Sequence, residues 1–436
     1  MICFYRFTEK FVKLFLAIIL CGGIAFGQPL KKAYVVNSIG ESLSEIDLNA
    51  QTVNANAATL GLFTNMVQVR DSSAYVINSG VNEVQIIDLA TLSTTGQIDV
   101  GSGTNPWAIE FIDDQLAAVS LLFTNQVVFV DVVSGQIQQT ADVGTGPEGM
   151  VFSDGVLYVA NSGFNGAGFD PGTVSAINIS DFSVTNIAVG TNPQALALDV
   201  SGNIIVACSG SFFDANVNGE VDVIDKMTQT VTDSVTFDPS VTNVIVNSEN
   251  KAYLATFGAG VLVYNLDTQT FERGENDPLP GGPGMAIDQL GNVYITDFGT
   301  DSLFVFSPTH QRIGSYLVGD GPVSVAIYDE GIINGVETPR GEFARSFTLR
   351  QNYPNPFNPE TTISFDAIKG ARFRLDVLDV TGRVVTTLIN DFLPAGQRQV
   401  AWNGKNQNGE AAATGIYYYR LTAEKISQVK KMTLLR

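Results

Sequence analysis

Tyr34-Val-Val-Asn37, Tyr75-Val-Ile-Asn78, Tyr158-Val-Ala-Asn161, Ile205-Val-Ala-Cys208, Tyr253-Leu-Ala-Thr256 and Tyr294-Ile-Thr-Asp297 are copies of one short pattern. A degenerate copy stands at Leu116-Ala-Ala-Val119. Each copy is β-prone, and each is followed by a second apolar run that usually ends in Asp or Asn. These second runs finish at Asp47, Asp88, Asp131, Asn178, Asp225, Asn265 and Ser307, a period of 40 to 47 residues. A repeat of that length, punctuated by Gly, Asn and Pro and lacking helical periodicity, marks the blades of a β-propeller.

Two further signals complete the unit. A Gly-rich turn, often with Pro, leads into an apolar strand, as in Gly103-Thr-Asn-Pro106-Trp-Ala-Ile, Gly146-Pro147-Glu-Gly-Met-Val-Phe and Gly321-Pro322-Val-Ser-Val-Ala-Ile. A fourth, more polar strand such as Gly96-Gln-Ile-Asp-Val100 closes it. One such blade cannot bury both of its faces, so the blades must stack around a ring. The repeat begins part-way through a unit, at Tyr34, and ends with a spare first strand over 322–328. That offset predicts closure of the ring by pairing of these two segments. Seven copies of each signal favour seven blades over six or eight.

These residues resemble the YVTN-type repeats of bacterial surface and periplasmic propellers, and 283–297 also resembles an NHL-type repeat. The likeness spans 31–329. It implies a fold and little about activity, because propellers host binding modules and enzymes alike.

The first 27 residues read as an export signal. Arg6, Lys10 and Lys13 precede a short apolar run from Leu14 to Leu20, and Ala25-Phe26-Gly27 offers small residues for cleavage. The apolar run is too short to span a bilayer comfortably. Cys21 raises lipid attachment, but bulky Leu20 before it argues against that reading. Without 1–27 the chain holds 21 basic and 43 acidic residues, a balance that repels a phosphate backbone and excludes nucleic acid as an expected partner. Cys208 is then the sole cysteine, so stability must come from core area and not from a disulfide.

Beyond residue 329 the texture changes. Residues 330–346 read as a linker. Next comes Gln351-Asn-Tyr-Pro354-Asn-Pro356-Phe-Asn-Pro359, whose prolines demand an extended or turning path. Alternating runs from Phe373 to Leu435 then predict a small antiparallel sandwich. With Gly382-Arg383, Trp402-Asn403-Gly404, Gly415-Ile-Tyr-Tyr-Tyr-Arg-Leu421 and Lys430-Lys-Met-Thr-Leu-Leu, this stretch resembles the C-terminal sorting domain of type IX secretion substrates. Asn403 departs from the Asp more usual there. The resemblance implies recognition by the type IX machinery, removal of the module, and a product attached to the cell surface or released. The competing reading is an ordinary Ig-like domain. The expected architecture is therefore all-β: a seven-bladed β-propeller (28–329), a linker, and a small Ig-like β-sandwich (347–436).

Catalytic raw material is scarce. His310 is the one histidine and sits in a Pro-Thr-His turn, so a Ser-His-Asp triad or a His-rich zinc site has little to build on. Cys208 lies within an apolar strand and reads as a small buried hydrophobe. The sharpest local motif is Asp214-Ala-Asn216-Val-Asn218-Gly219-Glu220-Val-Asp222, continuing to Asp225. Oxygen side chains at alternate positions around a Gly suit calcium, while a polar Asn/Gly turn accounts for the same residues.

With antiparallel strands, the turn after each Tyr-type strand and the Gly/Pro turn before each apolar strand share one rim. That rim is expected to gather Trp107, Glu148, Asn161, Phe164, Phe212, Phe257 and Phe298, with Asn78, Asn105, Asn192 and Asp297. Amides and aromatics around a central depression suit a glycan or a peptide, although turn chemistry and packing between blades explain them equally. Three functions stay open: an exported module that binds protein or glycan, a metal-dependent hydrolase or lyase resembling gluconolactonase-like propellers, or a structural spacer with no ligand. The second needs Glu148, Asp199 and Asp288 to converge in the channel.

Overall fold

A computed structural model describes residues 30–329 and 347–435, apart from 212–213, 215–216, 239, 351, 368–369, 379–382, 395, 408 and 424–425. The expected leader (1–27) and linker (330–346) lie outside the described residues.

The repeat folds as seven four-stranded antiparallel sheets. Blades 1 to 6 span residues 64–99, 106–142, 147–188, 193–237, 241–273 and 285–317, each running in order from innermost to outermost strand. Blade 7 is composite: Pro322–Asp329 lies innermost, beside Lys31–Asn37, Ser42–Asp47 and Thr52–Thr59. Tyr34 pairs with Ala326 and Val35 with Val325, so the two ends of the repeat close the ring as the offset predicts. Each innermost strand touches the next, and Pro322–Asp329 touches Thr64–Arg70 of blade 1. Six or eight blades are thereby ruled out.

Burial explains why the repeat is legible. The second and third strands of each blade are sandwiched between neighbouring blades, so Leu116–Leu121 and Gln126–Asp131 are almost continuously buried. Strands covered on both faces read as unbroken apolar runs. The outermost strands touch solvent and alternate, as Thr230–Phe237 does. Core clusters straddle blade boundaries: Ala33, Val35 and Ile46 of blade 7 pack with Tyr294, Leu303 and Val305 of blade 6.

The Asp or Asn that closes the third strand in six of the seven blades is a turn cap. Asp88 Oδ1 accepts the Ala90 and Thr91 N–H groups, and Asp131 Oδ1 those of Val133 and Ser134. Asp225 does the same for Met227 and Thr228. Four residues after the cap the chain turns left-handed, at Leu92, Gly135, Phe182 and Gln229. The side-chain cap satisfies donors that the turn leaves unpaired.

The Asn that ends the second strand is a buried latch. Asn37 Nδ2 donates to Ser44 Oγ at 2.9 Å, Asn78 Nδ2 to Gln85 Oε1 at 2.9 Å, and Asn161 Nδ2 to Ser175 Oγ at 2.9 Å. The third-strand partner then holds the turn entering the blade: Ser44 Oγ accepts Gly319 N–H and Ser175 Oγ accepts Gly144 N–H. In blade 4 Cys208 and Asp222 occupy these places, with Asp222 Oδ2 accepting Gly190 N–H at 2.7 Å. The turns pack so closely on the latch that only glycine fits. A Cβ on Gly319 would lie 2.5 Å from Asn37 Nδ2, and one on Gly144 2.7 Å from Asn161. Gly319→Ala is expected to lower stability by about 1–3 kcal/mol in urea unfolding. In an Asn37→Ser background the same change should cost far less.

Residues 347–435 form a separate sandwich. A three-stranded sheet (Phe347–Leu349, Thr361–Ala367, Gly396–Trp402) faces a four-stranded one ordered Val384–Leu393, Ala371–Leu378, Gly415–Ala423, Ile426–Leu434. Phe365, Phe373, Trp402, Tyr419 and Leu421 fill the core. The proline-rich segment is part of this fold. Phe357 is buried 5.6 Å from the Trp402 ring, and its N–H donates to Thr433 O in the last strand. Asn352 Nδ2 donates to Thr361 Oγ1, while Asn352 N–H donates to the Tyr419 hydroxyl. Tyr353 and Pro354 face solvent.

Candidate functional site

The innermost strands of all seven blades enclose a central channel of about 400 Å³. Its wall is largely apolar, with Met66, Val151, Leu196, Ile245, Met285 and Val325 among the lining side chains. The polar groups on the wall hold the ring together. Glu110 of blade 2 accepts from Gln68 of blade 1 and from Phe152 N–H of blade 3. Asn243 donates to Pro283 O across blades 5 and 6, and Ser324 Oγ accepts Val67 N–H across blades 7 and 1. Sequence reasoning missed Glu110 and Gln68, which carry no motif; their role exists only once the strands are neighbours.

One end of the channel is built by a repeated backbone latch. The turn between second and third strands folds over the loop that enters the innermost strand: Ser38 N–H donates to Gly321 O, Ser79 to Phe63 O, Leu122 to Asn105 O and Ser162 to Gly146 O. Ser209 N–H donates to Asn192 O and Phe257 N–H to Ser240 O. Side chains on these turns therefore ring the mouth.

The residues expected at this rim divide by burial. Phe164, Phe257 and Phe298 are exposed there, Phe164 standing 5.7 Å from the Phe169 ring. Trp107 lines the channel and packs on the Ala108, Phe129 and Met150 cluster. Asn161 is buried as a latch, and Asn192 is buried with neither amide atom hydrogen-bonded among the described residues. Glu148 is buried too. Desolvation pushes its carboxyl up to about 8 although the Ser162 side chain pulls the other way, and Oε2 has no hydrogen-bond partner among the described residues. Phe212 lies outside the described residues. The expectation also passed over Ile39, Leu62, Phe63, Val81 and Phe123, all exposed at the same rim. Ile39, Val81 and Phe123 carry the signal of an apolar residue within three positions of the end of the second strand, while Leu62 and Phe63 lie on the loop that enters the innermost strand of blade 1.

The three carboxylates required by the metal-enzyme alternative do not converge. Glu148 is the second residue of its innermost strand, whereas Asp199 and Asp288 follow the last residues of theirs. Five residues of strand separate the two levels, roughly 17 Å. Asp199 caps its own turn through Ser201 N–H, Asn203 N–H and Asn203 Nδ2. Asp288 accepts from Leu290 N–H, Asn292 N–H, Tyr294 Oη and Lys31 Nζ. Two of the three are therefore occupied by turns on the far rim.

The calcium motif is likewise divided. Glu220 and Asp222 share one face of a strand, and burial together with Asp222 raises the Glu220 carboxyl. Asp225 lies at the other end of that strand, roughly 17 Å from Glu220, and caps a turn. Asp214 and Asn218 are exposed on the connecting loop, and Asn216 lies outside the described residues. No three His, Cys, Asp or Glu side chains gather into a metal-sized cluster among the described residues.

Neither Cys208 nor His310 is poised for catalysis. Burial, then Asp222 and Glu220, push the Cys208 thiol far above its ordinary range. His310 Nε2 sits 3.1 Å from the Tyr253 hydroxyl, and burial lowers its pKa.

Fold and channel define the class: a seven-bladed β-propeller that carries an Ig-like module. Residues 356–427 match the family model of the FlgD Ig-like domain. The propeller is similar to a functionally unknown protein from Desulfotomaculum acetoxidans DSM 771, at 16% identity and TM-score 0.54 over 68% of this chain and 98% of that one. It is also similar to Kuenenia stuttgartiensis hydrazine synthase (17%, TM-score 0.51, 63% and 94%) and to apo AztD from Citrobacter koseri (10%, TM-score 0.52, 71% and 100%). At such identities the likeness shows the fold alone. No curated protein matches the sequence.

Proposed function

We propose that this chain is an exported propeller that works at the cell surface or in the medium as a binding module for a protein or glycan. Its Ig-like module acts as the type IX sorting signal. The observation that carries the binding role is the contrast at the channel. The carboxylates and amides of its wall and far rim are occupied by stitching and turns, while aromatic side chains stand exposed around its mouth. A surface that leaves apolar rings in water favours recognition over chemistry. The sorting role rests on the leader-like residues 1–27 and on the 351–359 signature, of which Tyr353 and Pro354 remain exposed for a receptor.

In a cell with a working type IX system, the full chain is expected to reach the surface or medium. A chain ending at residue 329 should stay in the periplasm. Equal export of both would overturn the sorting role.

A further inference from the structure

The exposed apolar side chains at the channel mouth recur from blade to blade. Every blade whose turn between second and third strands is described presents at least one at the channel mouth. They are Ile39, Val81, Phe123, Phe164, Phe257 and Phe298, with Leu62 and Phe63 beside Val81. Phe63, Phe123 and Phe257 are 69%, 64% and 77% exposed. Toward the opposite rim the exposed apolar side chains lie mostly at the periphery, on the outermost strands (Val53, Ile137, Phe271, Ile313) and the turns leading into them (Val133, Met227), with Leu290 alone on a turn after an innermost strand. The backbone latch holds the mouth residues in place, so the rings are presented on a fixed frame and lose little entropy on contact.

Charge narrows what could cover them. Residues 28–329 contain 33 acidic and only seven basic residues. Six of the seven basic residues lie on the far side, at the ends of strands or in turns away from the mouth: Lys31, Lys32, Arg70, Lys226, Lys251 and Arg312. Five of them pair with carboxylates and Arg312 stacks on Phe304. The seventh, Arg273, is paired with Asp277. The mouth side instead exposes Glu41, Asp142, Asp170, Asp238, Glu275 and Asp320. Apolar rings set among carboxylates, with no cation left to meet an anion, repel acidic polymers and anionic headgroups. They complement a polypeptide that carries Lys or Arg beside apolar side chains.

We infer that the channel mouth is a docking surface for a basic, apolar polypeptide segment, a deepening that rests on the binding-module reading above. The test uses the full chain and three labelled peptides, Lys-Phe, Glu-Phe and Lys-Ser alternating heptamers, in fluorescence anisotropy at low and high salt, alongside a glycan array. The Lys-Phe peptide should bind, with affinity falling as salt rises. The Glu-Phe and Lys-Ser peptides should bind at least about tenfold more weakly. A Phe63→Ser, Phe123→Ser, Phe257→Ser variant should lose at least about tenfold in Lys-Phe affinity. A Val133→Ser, Met227→Ser, Leu290→Ser variant should match the parent. Equal binding of Lys-Phe and Glu-Phe, or an unchanged triple-Phe variant, overturns the inference. Glycan binding that needs the Phe rim, without peptide binding, overturns it while leaving the binding module standing. Binding of neither peptide nor glycan removes both.

Discussion

Val35→Pro is expected to open the ring. Val35 sits in the middle of Lys31–Asn37, which pairs on one side with Ser42–Asp47 and on the other with Pro322–Asp329. A strand paired on both sides has no position where a missing N–H is harmless, so proline removes a ladder bond whichever way that N–H points. The lost valine is fully buried against Tyr294, Leu303 and Val305 of blade 6, so the boundary between blades weakens as well. The backbone term is about 3 kcal/mol and the packing term adds about 1–2 kcal/mol. Because each blade touches only its neighbours, the loss concentrates at the single seam that no covalent connection spans. Urea unfolding should show a lower midpoint and a broader transition than the parent. A variant that melts like the parent would mean that the ring is closed by something other than this pairing.

Glu148→Gln is expected to remove a pH-dependent weakness. Burial raises the Glu148 carboxyl from 4.5 to about 8, so the folded chain keeps a proton there that the unfolded chain has already released. Between those values the folded state binds more protons, and stability falls as pH rises. The interval, at about 1.36 kcal/mol per pH unit, sets a ceiling of about 5 kcal/mol on the loss, fully developed above pH 8 and absent below pH 4.5. Glutamine keeps the shape and cannot ionise. Urea midpoints of parent and variant should therefore coincide near pH 5 to within about 1 kcal/mol and diverge steadily to pH 9, with the variant the more stable. Parallel pH profiles would show that Glu148 is charged in the folded protein and reaches a counter-charge or water.

The turn and latch residues explain which parts of the sequence could be read. Asp88, Asp131 and Asp225 recur because the turn after the third strand takes the same cap in six of the seven blades. Asn37, Asn78 and Asn161 recur because the entering turn must be pinned over a glycine. Local needs of this kind repeat with the blade and leave a period. The same recurrence misleads about function: Asn161, expected on a ligand-binding rim, is a buried latch to Ser175, and Asp225, expected in a calcium loop, caps a turn. Glu148 illustrates a different difficulty. Its place on the rim is right, but only packing shows that its side chain is buried.

From the sequence alone the repeat pointed to a ring, favoured seven blades, and placed the seam between the segments that begin at Tyr34 and Pro322. Each of these follows from local preference and from the burial of two faces, which any blade must satisfy. The tail announced its sandwich in the same way, through alternation. Which side chains surround the mouth, which carboxylate stitches neighbouring blades together, and which carboxylates hold the cations depended on the tertiary structure. Those relations join residues about 40 positions apart, whose proximity is set by blade stacking and leaves no local pattern in the chain.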